Sequence, residues 1–276
     1  MIVLSFFIKR FKLIQFFYTM VETETSWKPL DLSGVKLLDI KNYAVVILNR
    51  PISLPREHVV SVWKGASFRI CVDGGINRWF EFCESVPDNS LPEKYPHCVS
   101  GDFDSATEDN IKRAKVNGVE VIHTPDQNNT DFTKALDIIS KKKENIESII
   151  VLADTSGRLD QILSNLNTLY KIDELFNNRN VKVYILASDT LTWLLQPGSH
   201  KIRVPEILAK QKNCCALLPL GKPCIVTTMG LMWDLSNTKC EFGGLVSSSN
   251  TYMASEVTIR TDEPLFWSMC LGLDSS

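Results

Sequence analysis

The chain has 276 residues, of which 44% are hydrophobic and 22% are charged. These fractions are close to those of an average globular protein and exclude a disordered or fibrous chain. Thirty lysines and arginines oppose 32 acidic residues, so the formal net charge is only −2. Because no overall positive field results, we expect neither nucleic acid nor an anionic membrane surface as a partner.

The first twenty residues are rich in aromatic side chains and contain no acid. Lys9, Arg10 and Lys12 interrupt the apolar stretch, which is therefore too short to be a membrane span of about 20 apolar residues. No basic residue precedes Lys9, unlike in a secretory signal. An organelle-targeting peptide stays open, and so does a start of the protein at Met20. We expect residues 1–36 to be an extension outside the fold.

Between residues 37 and 198, apolar runs that predict strands alternate with amphipathic stretches that predict helices. The predicted strands are Tyr43–Leu48, Phe68–Val72, His97–Ser100, Val119–His123, Ser148–Ala153 and Val181–Ala187. The predicted helices are Asp104–Val116, Asp131–Lys142 and Leu159–Tyr170, with Thr130 as the N-cap of the second. Continuous apolar strands are typical of a parallel sheet with helices on both faces. The sequence therefore predicts a doubly wound, mostly parallel α/β domain.

Beyond residue 198 the pattern changes to short strands separated by Gly, Pro, Asn and Asp. The predicted strands are Lys201–Val204, Cys214–Leu218, Cys224–Thr228, Glu241–Val246, Glu256–Thr261 and Leu265–Met269. Such spacing is typical of an antiparallel β-sandwich. We therefore divide the chain into an α/β domain at 37–198 and a C-terminal β-sandwich domain at 199–276.

The eight cysteines contain no C-x-x-C pair and no matching histidine spacing. This pattern predicts neither a zinc site nor a disulfide. A reducing compartment is the simplest explanation, so we expect the protein in the cytoplasm.

Four segments place carboxylates where a predicted strand ends in a loop or at a helix start. They are residues 72–75, 100–105, 125–131 and 157–160. Asp102 and Asp104 are two residues apart, so in extended backbone they would project from the same side. Oxygen ligands gathered at one sheet edge suit Mg²⁺ with substrate phosphates. Lys134 and Arg158 supply cations that neutralise phosphate charge.

Each of these segments alone has a structural explanation as a turn, a helix cap or a local ion pair. Four of them on one predicted sheet edge favour a metal–phosphate site. This argument leaves a nucleotide hydrolase and a transferase both open.

Six motifs follow one another along the chain. They are CVDGGINR (71–78), SGDFDS (100–105), TPDQNNTDFTKAL (124–136), GRLDQ (157–161), QPGSH (196–200) and FGGLVSSSNTY (242–252). Together they resemble the eukaryotic thiamin pyrophosphokinase family, from about Tyr43 to Met269. The resemblance implies a catalytic α/β domain, a β-sandwich that helps to bind thiamin, and a homodimer with composite active sites. It also implies transfer of the diphosphate of ATP to the hydroxyl of thiamin, which gives thiamin diphosphate and AMP.

The resemblance further implies roles for individual residues. The implied Mg²⁺ ligands are Asp102, Asp104 and Asp131, and the implied catalytic residues are these three with Asp73 and Arg158. The implied nucleotide- and diphosphate-binding residues are Gln127, Thr130, Lys134, Arg158 and Asp160. The implied thiamin-binding residues are Trp233, which would stack on the vitamin, Ser249 and Asn250.

One segment departs from the family pattern. Many members carry two glycines before the Gly-Arg-x-Asp motif, where this chain has Ala153 and Asp154. We expect weaker nucleotide affinity, because a carboxylate repels ATP and a side chain disfavours positive φ. This departure keeps a catalytically weak thiamin-binding protein as an alternative, and a Mg²⁺-dependent nucleotide hydrolase remains a second one.

Overall fold

The computed structural model describes residues 24–29, 41–87, 91 and 93–273. The targeting or extension segment expected at residues 1–20 lies outside this range. The strands are β1 (Thr25–Trp27), β2 (Tyr43–Ile47), β3 (Phe68–Val72), β4 (Cys98–Gly101), β5 (Glu120–His123), β6 (Ser148–Leu152), β7 (Lys182–Ala187), β8 (Thr190–Leu195), β9 (Gly198–Arg203), β10 (Cys214–Leu218), β11 (Cys224–Met229), β12 (Thr238–Cys240), β13 (Ser247–Thr251), β14 (Glu256–Thr261) and β15 (Leu265–Cys270). The helices are α1 (Arg56–Gly65), α2 (Gly75–Ser85), α3 (Glu108–Val116), α4 (Asp131–Lys142), α5 (Leu159–Leu169), α6 (Ile172–Leu175) and α7 (Glu206–Gln211).

These strands form a large sheet and a small sheet. The large sheet has the order β13-β10-β15-β8-β7-β6-β2-β3-β4-β5, and the small one β1-β9-β14-β11-β12. From β7 to β5 the neighbouring strands are parallel, and from β7 to β13 they are antiparallel. The C-terminal sandwich thus shares one of its two sheets with the α/β part. The predicted fold class is confirmed.

The parallel strands β2, β3, β4 and β6 are buried on both faces, as their largely apolar runs predict, whereas the edge strand β5 is partly exposed. All five residues of β2 are buried, and they alternate between two hydrophobic layers. Val45 and Ile47 face the layer that contains Trp63 of α1 and Trp79 of α2, whose rings stack 3.6 Å apart. Ala44 and Val46 face the layer formed with α4. This double coverage positions the strand ends, where the predicted site lies.

Several predicted boundaries differ from the structure for local reasons. The predicted N-cap at Thr130 is confirmed, since its hydroxyl accepts a hydrogen bond from the Thr133 N–H at 3.1 Å. The helix expected from Asp104 begins only at Glu108, because Thr107 caps it. The strand predicted at 241–246 is wrong: Gly243 has φ +84° and the segment forms a turn between β12 and β13.

Seven elements after residue 40 have no counterpart in the prediction: α1, α2, α6, α7, β8, β12 and β13. The segment 1–36 also contributes a strand, because β1 pairs in parallel with β9. The buried ring of Trp27 donates a hydrogen bond from Nε1 to His200 Nδ1 at 3.1 Å. Among the described residues, no helix is long and apolar enough to cross a membrane.

Cys214 and Cys270 form a disulfide between the start of β10 and the end of β15. The prediction of no disulfide is therefore wrong for this pair. The two cysteines are 56 residues apart and become neighbours only through the antiparallel pairing of β10 with β15. Their Cα atoms are 5.4 Å apart, within the usual range for a bridge. The other six cysteines are free and buried.

We expect the Cys214→Ser, Cys270→Ser double variant to unfold more easily than the wild type. Loss of the bridge restores entropy to the unfolded chain and should reduce the free energy of unfolding by about 2–4 kcal/mol. Urea unfolding of both proteins, with and without dithiothreitol, measures this. Only the wild type should respond to the reductant, and six thiols should titrate in its unfolded, unreduced form. An unchanged wild-type midpoint in dithiothreitol would contradict the bridge.

Candidate active site

The candidate site lies where the order of the parallel strands reverses. The chain runs outward from β2 through β3 and β4 to β5, and then returns to β6 on the other side of β2. Ligands of open α/β sheets bind outside the carboxyl ends of the strands at such a switch point. The segments that follow β2, β3, β4 and β6 therefore converge on one crevice.

Three carboxylates meet at this edge of the sheet. Asp73 follows β3, Asp102 follows β4, and Asp131 is the first residue of α4. One oxygen atom from each lies within 4.8 Å of the others. Three hard oxygen ligands at this spacing fit a divalent cation of the Mg²⁺ type.

The backbone around Asp73 is shaped to hold this cluster. Asp73 is buried and has φ +48°, a left-handed conformation that is uncommon for a residue with a side chain. Gly101, with φ +155°, passes so close that an added Cβ atom would lie 2.9 Å from the Asp73 Cβ. A side chain at position 101 would therefore displace Asp73. Strained backbone of this kind is typical of functional sites.

Asp104 lies outside the three-carboxylate cluster. Phe103 has φ +66°, so residues 102–104 are not extended, and the expected same-side geometry is absent. Asp104 instead accepts a hydrogen bond from the Ser105 hydroxyl at 2.8 Å. It still lines the cavity beside the cluster. Its role as a metal ligand stays a prediction.

Neighbouring polar groups set the charge of the cluster. The Gln127 amide donates to Asp102 at 3.2 Å and lowers the pKa of that carboxyl. Burial raises the pKa of Asp131, and the negative charges of Asp102 and Asp73 act in the same direction. The ammonium of Lys134, 2.6 Å from Asp131, opposes this rise only in part. Asp131 therefore carries its negative charge at a cost that a bound cation would relieve.

Lys134 and Thr130 hold the loop between β5 and α4. The Lys134 ammonium donates to the carbonyls of Thr124 at 2.7 Å and Asp126 at 3.0 Å. The Thr130 hydroxyl caps α4 and also lies 3.3 Å from the Thr168 hydroxyl on α5. Both residues thus have structural contacts in addition to their predicted ligand-binding roles.

A cavity of about 370 Å³ opens beside the cluster. It is lined by Leu48, Asn49, Arg50, Val72, Asp73, Asp104, Ser105, Thr130, Asp131, Phe132, Arg158, Gln161, Ser164 and Asn165. Asn49, Arg50 and Gln161 were not predicted as site residues; the signal that could have indicated Arg50 is its position in the loop that follows the apolar strand β2. A larger cavity of about 930 Å³ lies at the amino ends of β6 and β7, away from the cluster.

Arg158 and Asp160 are adjacent and form an exposed ion pair. The Arg158 guanidinium donates from Nε to one Asp160 oxygen at 3.1 Å and from Nη2 to the other. Arg158 lines the cavity, whereas Asp160 does not. The local ion pair that the sequence also suggested is therefore present.

Ala153 and Asp154 do not strain the loop after β6. Neither has positive φ, whereas Gly157 does at +82°. The Asp154 carboxylate accepts hydrogen bonds from the Ser156 N–H at 2.6 Å and the Ser53 hydroxyl at 2.8 Å, and it does not line the cavity. The backbone cost expected at these positions is therefore absent.

The predicted thiamin-binding residues lie on the sandwich. Trp233 occupies a turn after β11 and its side chain is 60% exposed, as expected for a platform. Asn250 is only 2% exposed, accepts from the Trp233 N–H at 3.2 Å and donates to the Trp233 carbonyl at 2.9 Å. Asn250 thus holds the backbone of Trp233. Ser249 is exposed on β13.

Asp234 fixes the same turn from within. Its carboxylate accepts hydrogen bonds from the Thr228 hydroxyl at 2.8 Å and from the N–H groups of Gly230 and Leu231, both at 3.1 Å. The turn is therefore ordered without burying the Trp233 ring. Sequence analysis did not single out Asp234 for this role.

The parallel sheet, the acidic cluster at its carboxyl edge and the nearby arginines are typical of an enzyme that acts on phosphate groups with a divalent cation. Two family models match this chain: the catalytic domain of thiamin pyrophosphokinase at residues 59–185, and its vitamin B1 binding domain at residues 199–266. The chain belongs to the thiamin pyrophosphokinase family.

Individual relatives agree with this assignment. The chain is 33% identical over 242 residues to thiamine pyrophosphokinase 1 of Oryza sativa subsp. japonica, with 83% of this chain and 87% of that one covered. It is 27% identical over 259 residues to the thiamine pyrophosphokinase of Saccharomyces cerevisiae, with 77% and 80% covered. The solved structure of thiamin pyrophosphokinase from Candida albicans superposes with a TM-score of 0.76 at 24% identity, over 91% of this chain and 93% of that one.

We expect Asp131→Asn to stabilise the metal-free protein at neutral pH. The raised pKa of Asp131 means that its neutral form favours folding; this contribution is lost as the pH rises through the pKa of the folded state. Asn mimics the neutral carboxyl at every pH, so its advantage over Asp should grow with rising pH in that range.

Melting temperatures at several pH values, with and without Mg²⁺, measure this effect. Mg²⁺ should stabilise the wild type and Asp137→Asn, a control on the exposed face of α4, but not Asp131→Asn. A metal response in Asp131→Asn equal to that of the wild type would remove Asp131 from the metal site.

Proposed function

We propose that the protein transfers the diphosphate of ATP to the hydroxyl of thiamin, giving thiamin diphosphate and AMP. The observation that carries this proposal is the presence of both family domains in one chain, with the acidic cluster in the first and an exposed tryptophan in the second. The 33% sequence identity to the plant thiamine pyrophosphokinases, over most of both chains, supports the same reaction.

We propose Mg²⁺ as the metal that this reaction uses. The three-carboxylate cluster supplies the hard oxygen ligands, and Asp104 stays a predicted fourth carboxylate of the site. When bound, the cation neutralises charge on the phosphates and on the leaving AMP. Asp73, which packs against the Gly101 backbone and accepts the Ser105 N–H at 3.4 Å, and Asp131, which pairs with Lys134, are two ligands positioned before the substrate arrives.

The remaining residues of the α/β part bind and orient the nucleotide. Attack at the β-phosphorus requires the thiamin hydroxyl and the departing AMP to lie in line with it. Arg158 lines the cavity and is proposed to exchange Asp160 for phosphate oxygens. Gln127, Thr130 and Lys134 are proposed to order the loop along the diphosphate path. Asp73 and Asp104 are the candidates for accepting the hydroxyl proton, and positioning supplies more of the acceleration than this step.

The sandwich is proposed to bind thiamin. The exposed ring of Trp233 offers its face to the cationic thiazolium, and Asn250 fixes the backbone that carries it. Ser249 lies on the same strand as Asn250 and is exposed to a ligand. Its hydroxyl is proposed as a hydrogen-bonding group for the vitamin.

A homodimer with composite active sites is proposed as the working form. All residues that line the cavity beside the acidic cluster lie between residues 48 and 165, so the sandwich of the same chain does not complete it. Leu159 and Leu163, one turn apart on α5, expose apolar side chains beside this cavity, and Trp233 is exposed on the sandwich. Pairing with a second copy would bury these surfaces and bring thiamin to the phosphates.

The cytoplasm is the proposed location. The six free, buried cysteines support a reducing compartment, whereas the Cys214–Cys270 bridge is a single exception on the sandwich.

The reaction is tested by incubating the protein with ATP, Mg²⁺ and thiamin. We expect thiamin diphosphate and AMP in equal amounts, and no AMP when thiamin is omitted. AMP or ADP formed without thiamin would favour the nucleotide hydrolase. Thiamin binding without any turnover would favour the catalytically weak thiamin-binding protein.

Trp233→Ala should weaken thiamin binding by about tenfold to thirtyfold, because it removes a cation–π contact. ATP binding should stay unchanged, since the ring would touch only the vitamin. Ile207→Ala, which truncates an exposed side chain on α7, is the control. Calorimetric titration with each substrate measures both affinities, and equal losses for thiamin and ATP would indicate a structural tryptophan.

Mixed dimers test the composite site. If Asp102→Asn and Trp233→Ala affect different chains of one site, a mixed dimer has one doubly altered site and one intact site. Random pairing should then leave about a quarter of all sites intact. Co-expression should recover that fraction of wild-type activity, although each homodimer is impaired. No recovery in purified mixed dimers would place both residues in a site formed by one chain.

A further inference from the structure

Arg50 occupies the switch point of the sheet. It lies three residues after the end of β2, the strand that neighbours β6 in the sheet. It lines the cavity that Asp73 and Asp131 also line. Its side chain is half-buried. Neither the motifs nor the family resemblance gave it a role.

The loop after β6 holds the Arg50 guanidinium in place. Nη2 donates to the Ser156 carbonyl, and Nη1 lies 3.5 Å from the Gln161 side-chain oxygen. Gly157 packs so closely that an added Cβ atom would lie 2.8 Å from Nη2. Nε is buried and finds no acceptor among the residues that the structure describes. A buried, charged donor without an acceptor is costly unless a ligand satisfies it.

Asp154 organises the loop that holds Arg50. Its carboxylate accepts the Ser156 N–H, so the residue whose carbonyl binds Arg50 is fixed from its other side. It also accepts the Ser53 hydroxyl, which lies 2.9 Å from the Ser188 hydroxyl in the turn between β7 and β8. Asp154 thereby ties the loop after β2 to the loop after β6.

The two arginines of the cavity differ in the partners that their guanidinium groups already have. Arg158 is largely exposed and already paired with Asp160 through two hydrogen bonds. Arg50 forms no ion pair among the described residues: its hydrogen bonds go to neutral acceptors, and the Asp154 carboxylate attracts it without direct contact. A planar guanidinium held in this way is suited to the oxygens of a phosphate chain.

We propose that Arg50 binds the phosphates of the nucleotide beyond the α-phosphate, and that Asp154 is its positioning residue. The proposal rests on the proposed function for the identity of the nucleotide. It gives Asp154, which replaces a family glycine, a role in ordering the phosphate site. The repulsion of ATP that the sequence alone predicts is then offset by the arginine that Asp154 helps to place.

Arg50→Gln tests the contact. We expect about tenfold to a hundredfold weaker binding of ADP and of α,β-methylene ATP with Mg²⁺, as for loss of hydrogen bonds between charged groups. AMP should bind within about twofold of the wild type, because it lacks the phosphates that Arg50 contacts. The affinity of Arg50→Lys for ADP should lie between those of the wild type and Arg50→Gln. Arg56→Gln, an equal change of charge on exposed α1, is the control.

Isothermal titration gives these dissociation constants, and melting temperatures verify that each variant is folded. Equal weakening for AMP and ADP, or an unchanged affinity for ADP in folded Arg50→Gln, would overturn the proposal. If Arg50→Gln fails to fold, the same comparison is made with Arg50→Lys: its affinity for ADP should fall more than its affinity for AMP.

A double-mutant cycle tests Asp154. Asp154→Ala should weaken ADP binding in the wild type and have no further effect in Arg50→Gln, because it acts through Arg50. Additive losses would overturn its positioning role. A wild type that makes no thiamin diphosphate, yet binds ADP in an Arg50-dependent way, would refute only the proposed function. An active wild type whose ADP affinity does not depend on Arg50 would refute only the present inference.

Discussion

Mutual repulsion among Asp73, Asp102 and Asp131 is the constraint on which the site depends. Their oxygens lie within 4.8 Å of one another; burial raises the pKa of Asp131, and the charges of Asp102 and Asp73 add to that rise. The fold opposes this repulsion with an ammonium at Asp131, an amide at Asp102 and the Ser105 N–H, which donates to Asp73 at 3.4 Å. The parallel sheet makes this possible, because its strand ends bring distant segments of the chain to one edge. The concentrated negative charge therefore lowers the free energy of unfolding of the metal-free protein, and a bound cation would offset this cost.

Much of the scaffold could be predicted from the sequence because its signals are local. The buried run of β2 is continuously apolar, that of β3 is interrupted only by Arg69, and Thr130 stands directly before the apolar period of α4. Helix α1 was missed because it follows prolines and a serine and begins without a side-chain cap. The bridge between Cys214 and Cys270 depends on how β15 pairs with β10, which no short-range pattern encodes.

The site shows the same division between local and non-local information. Spacing alone grouped Asp102 with Asp104, but the left-handed backbone at Phe103 separates their directions and leaves Asp73 beside Asp102. Arg50 was missed because its importance comes from the order of strands, which places β2 next to β6. Asp154 was expected to weaken ATP binding because it replaces a glycine. In the structure its carboxylate instead accepts hydrogen bonds from Ser53 and Ser156. Residue type predicted the chemistry, and topology decided which residues perform it.

The continuous ten-stranded sheet limits how such a molecule can move. Strand β8 pairs with β7 on one side and β15 on the other, so an unbroken ladder of backbone hydrogen bonds joins the acidic edge to the sandwich. Two domains joined by a flexible linker can close around a substrate by a hinge motion. Domains that share a sheet cannot, because the hinge would have to break the hydrogen bonds between neighbouring strands. Exclusion of water during transfer must then come from loops and side chains at the crevice, not from rotation of one half against the other.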